Sequence, residues 1–209
     1  MLKRVATFGL VFFLFMCTRC TKDAPDPRKV NPALVDQLSK RVNTYVDNHV
    51  QPSAQKPTRV HLVLTDQDES LQASSSASSV HTAAKFVARD VLLKFTDHQL
   101  LSPARLAKME VVVTLFFKGR HLPPEQVQGF ALKDEGLAIR QGYREWLYSP
   151  YGRRAQTRDP RVFLASACQA AALAPDCFND SGVTLYRYPT AILTKDGVLS
   201  AAPNDHQAP

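Results

Sequence analysis

The sequence lacks several patterns that point directly to a function. It has no basic run interleaved with aromatic residues, so nucleic-acid binding is not expected. After the N-terminal segment, no close pair of cysteines or histidines accompanies Cys168 and Cys177, so we expect neither a metal site nor a cofactor. The Gly-x-Ser-x-Gly sequence that carries the nucleophile of many hydrolases is also missing, and no internal repeat is evident.

The composition is that of an ordinary globular protein. The 209 residues are 44% hydrophobic and 22% charged, which leaves room for one compact domain with appendages. The formal net charge of +7 favours solubility and weak attraction to anionic surfaces, but it gives no information about the fold.

The N-terminus has the pattern of an export signal. Lys3 and Arg4 precede an uninterrupted apolar run, Val5 to Met16, which is too short to span a bilayer comfortably. We therefore assign residues 1–17 to a signal and residues 18–31, which are rich in proline and charge, to a polar linker. The rest of the chain is then expected outside the cytoplasm, in the cell envelope.

The sequence at the end of this signal allows several ways in which the protein could be processed or anchored. The sequence LFMC resembles a bacterial lipoprotein box with Cys17 as the acylated residue, although Met16 is bulkier than usual. Acylation of Cys20, ordinary cleavage and an uncleaved anchor are the alternatives. A lipid at Cys17 would make the protein a membrane-anchored lipoprotein.

Cys168 and Cys177 lie nine residues apart in a chain expected outside the reducing cytosol. A chain that leaves a helix and folds back through residues 174–176 can bring the two Cα atoms within disulfide range. Alternatively, Cys168 is a small buried helix residue and Cys177 is a loop thiol.

The sequence predicts a single α+β domain over residues 32–195, with a largely antiparallel sheet and three main helices. Helices are predicted after Asn31, from Val80 and from Asp159–Pro160, each with a capping residue at its start. The serine run at 71–79 therefore lies inside the domain, with Ser78 or Ser79 as a helix cap. Residues 196–209 are expected to be a disordered tail.

The predicted strands lie between and after these helices. Residues 59–65 alternate in polarity, residues 109–117 are long and β-branched, and residues 136–149 predict a hairpin that turns at Gln141–Gly142. VTLYRY and TAILT predict two late strands.

The C-terminal third resembles the AMMECR family (the AMME chromosomal-region protein domain). RVFLASACQAAALAPDCFND followed by VTLYRY is similar to a family segment of the form Leu-Cys-x-Lys-Ala-Gly-Leu-x-x-Asp followed by a strand ending in Tyr-Arg-Phe. EGLAIRQGYREWLYSP and LSPARLAKMEVVVTLF resemble its hairpin and central strand. The order of elements agrees from Leu34 to Leu193, which implies the fold of this family.

The family carries a hexapeptide, Leu-Arg-Gly-Cys-Ile-Gly, that is suspected to be its functional site. LQASSS, residues 71–76, falls in its place, with only Leu71 matching and Ser74 where the family has cysteine. The family sequence Asp-Pro-Arg-Phe is reduced to Asp97. A serine hydroxyl cannot replace a thiolate without an adjacent base, so the resemblance does not imply that a reaction is retained.

Two functional hypotheses follow. In the first, the protein is a non-catalytic binding or structural protein of the envelope. Its anionic ligand or protein partner would contact Arg144, Tyr151, Arg153, Arg154 and Arg158, because arginine with aromatic residues is typical of interfaces. A solvated basic loop over buried aromatics would have the same composition.

In the second hypothesis, the protein is an extracytoplasmic hydrolase or transferase. Ser74 would be the nucleophile, His81 or His61 the base, and Asp66 or Asp97 the residue that orients the base. We rank the binding protein first.

Overall fold

In the computed structural model, which describes residues 30–50, 57–66, 69–95, 101–151 and 159–200, helices alternate irregularly with strands. The α-helices are α1 Pro32–His49, α2 Val80–Leu92, α3 Pro103–Lys108 and α4 Pro160–Ala170. The strands are β1 Arg59–Asp66, β2 Glu69–Ser75, β3 Glu110–Phe116, β4 Arg120–His121, β5 Glu135–Gln141, β6 Arg144–Tyr148, β7 Val183–Thr194 and β8 Gly197–Ser200.

The three main helices begin at the capping residues that the sequence indicates, and the short helix α3 has a cap of the same kind. Asn31, Ser79, Ser102 and Asp159 each accept a hydrogen bond from a backbone N–H in the first turn of α1, α2, α3 and α4. A proline follows the cap of α1, α3 and α4, where its missing N–H costs no hydrogen bond.

All strand pairs of the sheet are antiparallel, which confirms the predicted fold class. The strand order is β2-β1-β3-β7-β5-β6, and β4 and β8 also pair with β7. The β5–β6 hairpin turns at Gly142, where a φ of +57° suits a residue without a side chain.

The late strands predicted as two are one continuous strand, β7. Its first half pairs with β5 as far as Pro189, and its second half pairs with β3 from Thr190 onward. The proline thus lies where β7 changes partner, a position at which a strand can do without the missing N–H. The strand continues through Pro189 because no N–H of this residue is needed for the hydrogen bonds of the sheet at that position.

The serine run begins with a strand rather than a turn. Residues 69–75 form β2 and pair with β1 in a regular register that places Ser74 opposite His61 and Ala73 opposite Leu62. Ala73 is buried with Leu62 against α1 and α2, while Gln72 and Ser74 are exposed on the other face. Small residues fit here because α2 packs closely on this strand.

The main helices pack on one face of the sheet. At odd positions of β7, Leu185 joins a cluster with α4, whereas Ala191 and Leu193 join a cluster with α1 and α2. Alternate side chains of a strand point to opposite faces, so the even positions face away from the helices. We call that side, defined by His61, Ser74, Thr114, Tyr186 and Tyr188, the second face.

The sheet extends past the predicted end of the domain. Gly197–Ser200 form β8 against β7, so these residues do not belong to a disordered tail as expected. Residues 201–209, the signal and nearly all of the linker lie outside the described residues. Within the described residues, no helix has the length and hydrophobicity needed to cross a membrane.

Candidate functional site

Ser74 lies on the second face beside His61. Its Oγ is 2.8 Å from His61 Nδ1 across the β1–β2 pair. The serine is exposed, whereas the histidine ring is 3% exposed and meets the edge of Phe116. Of the two histidines proposed as the base, the structure therefore brings His61 to the serine.

His81 does not approach Ser74, which corrects its choice as a candidate base. It lies on α2, on the helical side of the sheet, with its Nε2 3.2 Å from Asp47 Oδ1 of α1. Both side chains are more than half exposed. This histidine joins two helices and has no part in a serine site.

The predicted orienting carboxylates do not complete a catalytic triad among the described residues. Asp66 is at the far end of β1, where its carboxylate accepts hydrogen bonds from Arg105 at 2.6 Å. Asp97 lies outside the described residues. A serine hydroxyl needs a base that is itself held in the correct tautomer, and Asp66 does not supply this because it is bound to Arg105.

Next to Ser74 and His61, the second face carries short polar side chains that are hydrogen-bonded within the protein. Thr114 of β3 shares a buried hydrogen bond with Ser149, with 2.7 Å between their hydroxyl oxygens. On the other side, Lys94 donates a 2.5 Å hydrogen bond to the backbone oxygen of Gln72. A cation thus reaches this edge of the sheet through Lys94, but it contacts the backbone and not a side chain of the second face.

Cys168 and Cys177 form a disulfide bond, the first of the two alternatives raised by the sequence. Their Cα atoms are 5.8 Å apart, and both residues are buried in the cluster beneath α4. The bond joins α4 to the 3₁₀ turn Cys177–Asn179, close to the start of β7. It lies on the helical side of the sheet, away from Ser74.

The residues predicted to form a basic and aromatic surface have different surroundings. Arg144 is at the tip of the hairpin, 6.0 Å from the ring centre of Tyr143, which is 94% exposed. Tyr151 is half-buried against Val63 and its hydroxyl donates to Glu110. Arg153, Arg154 and Arg158 lie outside the described residues.

A different charged cluster occupies the second face. Glu145 of β6 accepts hydrogen bonds from both Arg59 and Arg140, the latter at 3.0 Å. The two guanidinium groups also cover aromatic rings of β7: Arg59 lies 5.6 Å from the centre of Tyr188, and Arg140 lies 4.9 Å from the centre of Tyr186. We call these five residues the arginine cluster.

Electrostatics fixes the charge state of this cluster. Burial alone would raise the pKa of the Glu145 carboxyl, but hydrogen bonds from Arg59 and Arg140 outweigh burial and lower that pKa below its ordinary value. The hydrogen bond to Glu145 likewise raises the pKa of Arg140. The Glu145 carboxylate is therefore ionised at neutral pH, and because it faces two guanidinium groups the cluster carries one positive charge in excess.

The arginine cluster as a unit could not be predicted from the sequence. Alternation along β1 placed Arg59 on a polar side of its strand, but its partner Glu145 is 86 residues away. The one available signal was the Tyr-x-Tyr spacing of Tyr186 and Tyr188, which puts both rings on the same face of a strand.

The described residues contain no group of three or more histidine, cysteine, aspartate or glutamate side chains that could hold a metal ion. On the second face, the exposed hydroxyl of Ser74 and the partly exposed guanidinium groups of the arginine cluster are accessible to a ligand, whereas the imidazole of His61 is buried. These groups suit hydrogen bonding and anion binding.

A family model matches residues 77–193, more than half of the chain, and its description is AMMECR1. This chain belongs to the AMMECR1 family. The match begins directly after LQASSS, so the placement of Ser74 on the AMMECR1 cysteine stays a prediction from the resemblance.

A solved structure also supports the AMMECR1 fold. An uncharacterised protein from Pyrococcus horikoshii superimposes with a TM-score of 0.56 at 17% identity. The alignment covers 85% of this chain and 98% of that chain. At this identity, the likeness shows the fold and nothing about activity.

A curated relative from Methanothermobacter thermautotrophicus, described only as a protein, is 33% identical over 63 residues. The aligned part is 30% of this chain and 33% of the relative, so the chain spans about a third of the length of the curated relative it matches.

Proposed function

We propose that the chain is an exported protein, tethered to a membrane by its N-terminal segment, whose AMMECR1-family domain binds an envelope component without catalysing a reaction. The observation that carries this proposal is the disulfide between Cys168 and Cys177. Disulfides persist outside the cytosol and are rare within it, which agrees with the signal-like residues 1–17.

The non-catalytic part of the proposal depends on the second face. Ser74 has a histidine beside it, but Asp66 is bound to Arg105 and cannot orient that histidine. The hydroxyl also lies along a strand, where backbone N–H groups are committed to the ladder or to solvent and do not converge on a developing oxyanion. Binding through the charged groups of this face requires neither an orienting carboxylate nor an oxyanion hole.

Metabolic labelling with an alkyne analogue of palmitate tests the tether. We expect the wild-type chain to incorporate the label, Cys17→Ser to abolish incorporation, and Cys20→Ser to leave it unchanged. Loss of label only in Cys20→Ser would move the lipid to the second cysteine. An unlabelled wild-type chain in the soluble cytosolic fraction would contradict both the tether and the export.

A second candidate function is supported by the 2.8 Å contact between Ser74 and His61. In a hydrolase or transferase, His61 would accept the Ser74 proton as the hydroxyl attacks an acyl or phosphoryl centre, and it would pass that proton to the leaving group as the bond to that group breaks. A fluorophosphonate probe separates the two functions, because it reacts with activated serines. The binding proposal predicts no adduct on Ser74; an adduct that disappears in Ser74→Ala and persists in the matched variant Ser78→Ala would establish the enzyme.

A further inference from the structure

The arginine cluster is built like an anion-binding site. Each guanidinium is fixed between an aromatic ring and the Glu145 carboxylate, so its side chain has already lost much of its rotational freedom in the unliganded protein. Binding a ligand would then cost little further entropy, which is the usual advantage of a preorganised site.

The charge balance of the cluster leaves room for an anion. One carboxylate faces two guanidinium groups, and hydrogen bonding to Arg59 and Arg140 keeps that carboxylate ionised. The excess charge of one is not matched by another acidic side chain among the ion pairs of the described residues.

Arg140 also has the access that a ligand needs. Its side chain is 43% exposed, and among the described residues only one of its nitrogens, Nη2, donates a hydrogen bond to protein. A guanidinium carries five N–H donors in a planar fork that matches the oxygens of phosphate and carboxylate groups. Several of these donors therefore remain for a ligand on the exposed side.

His121 lies on the side of the Tyr186 ring that is opposite to Arg140. His121 of β4 lies directly opposite Tyr186 in the sheet, with their ring centres 6.1 Å apart and the rings edge to face. The half-buried Tyr186 ring thus separates the exposed imidazole of His121 from the half-exposed guanidinium of Arg140. A ligand that places an oxyanion on Arg140 would rest its attached group near this ring.

We propose that the arginine cluster binds an oxyanion, a phosphate or a carboxylate group, through Arg140 with support from Arg59. This inference deepens the binding role proposed above, and it names a ligand chemistry and residues for it. It relies on the binding role but not on the export, because the interaction belongs to the folded domain.

Calorimetric titration of the purified full chain in detergent, at low ionic strength, tests the proposal. The probes are glucose 6-phosphate, glucuronate and glucose, which share a sugar ring and differ in the oxyanion. We expect one or both of the charged sugars to bind and neutral glucose not to bind, with affinity falling as salt is raised. Tighter binding of one charged sugar than of the other identifies whether the site prefers a phosphate or a carboxylate group.

Two variants assign the binding to the cluster. Arg140→Gln should weaken binding by about ten-fold or more, since a charge-assisted hydrogen bond is lost. Arg89→Gln, an exposed arginine on the opposite side of the sheet, should leave the affinity unchanged. Glu145→Gln should tighten binding several-fold, because the competing negative charge is removed while the amide oxygen can still accept a hydrogen bond and the aromatic rings still hold both guanidinium groups.

Circular dichroism and thermal unfolding verify that each variant is folded before titration. Equal binding of all three sugars, no binding of any of them, or an unchanged affinity in folded Arg140→Gln would overturn the proposal. Tighter binding by Glu145→Gln is the result that a purely structural ion pair would not produce. Mislocalisation of the protein in cells would contradict the export alone and leave these affinities unaffected.

Discussion

Ala172, which follows the C-cap of α4, has a φ of +59°, a left-handed conformation that costs an alanine about 1 kcal/mol relative to glycine. The N–H of Leu173 bonds to the carbonyl of Cys168, and the N–H of Ala172 bonds to the carbonyl of Gln169, as in a helix end that favours glycine at this position. The family segment that resembles this stretch has glycine here.

Ala172→Gly should therefore stabilise the protein by about 0.5–1 kcal/mol, measured by urea unfolding with the disulfide intact. Ala170→Gly, two residues earlier on the exposed side of α4, is the matched control and should destabilise by a similar amount. If both changes shift stability in the same direction, the left-handed conformation of Ala172 is not the cause.

Glu145 predicts a pH dependence of stability. Its folded-state pKa lies below the ordinary value of 4.5, so its interactions stabilise the fold above that value and are lost as the pH falls through the folded-state pKa. Glu145→Gln should cost about 0.5–1 kcal/mol at neutral pH, because two arginines lose a charged partner whose attraction is partly screened by solvent. The difference from wild type should shrink as the pH falls below 4.5.

Urea unfolding at neutral pH and at about pH 3 measures this difference. Glu125→Gln, on the exposed 3₁₀ turn Pro124–Gly129, is the control and should have little effect at either pH. A Glu145→Gln penalty that stays constant across this range would show that the carboxylate charge is not what stabilises the cluster.

At the scale of elements, contact between β5 and β3 depends on a missing side chain. A Cβ at Gly136 would lie 2.2 Å from Cε1 of Phe116, a fully buried residue that has no space to move. Gly136→Ala should destabilise the protein by about 1–3 kcal/mol through overpacking, measured by thermal unfolding.

Gly129→Ala provides the comparison, since a Cβ there meets no atom within 4 Å. This change should be close to neutral, or slightly stabilising through the unfolded chain. Equal effects of the two substitutions would mean that loss of glycine flexibility, and not the Phe116 contact, determines the result.

Local signals explain which elements the sequence could predict. Asn31, Ser79 and Asp159 cap their helices through contacts within three residues, so cap and apolar spacing together predict each helix start. The strand β2 has no such signal, because serine, alanine and glutamine have low strand preference. Its pairing with β1 and its packing under α2 are tertiary effects that a local pattern does not contain.

The candidate site divides in the same way. A serine and a nearby histidine could be proposed from the sequence, but His61 and His81 could not be separated until the register of β1 against β2 was known. The arginine cluster joins β1, the β5–β6 hairpin and β7 across more than 80 residues of sequence. Such contacts are set by the order of strands in the sheet, and the spacing of residues along the sequence does not reveal them.

At the scale of the whole molecule, one sheet separates two environments. Its helical face holds the main cores and the disulfide, and its second face holds the polar groups suited to a ligand. The family fold is thus retained while Ser74 stands where the resemblance places the family's cysteine. We therefore propose that the protein acts by binding a component of the cell envelope.

The central claim, that the AMMECR1-family domain functions outside the cytosol, is tested most directly by the state of its two domain cysteines in living cells. Cells are quenched with acid and their free thiols alkylated under denaturing conditions without reductant, and the peptides bearing Cys168 and Cys177 are weighed by mass spectrometry. We predict that both cysteines are protected in the wild-type chain and become alkylated in a variant lacking residues 1–17, which remains in the reducing cytosol. Full alkylation of both cysteines in the wild-type chain would contradict the account.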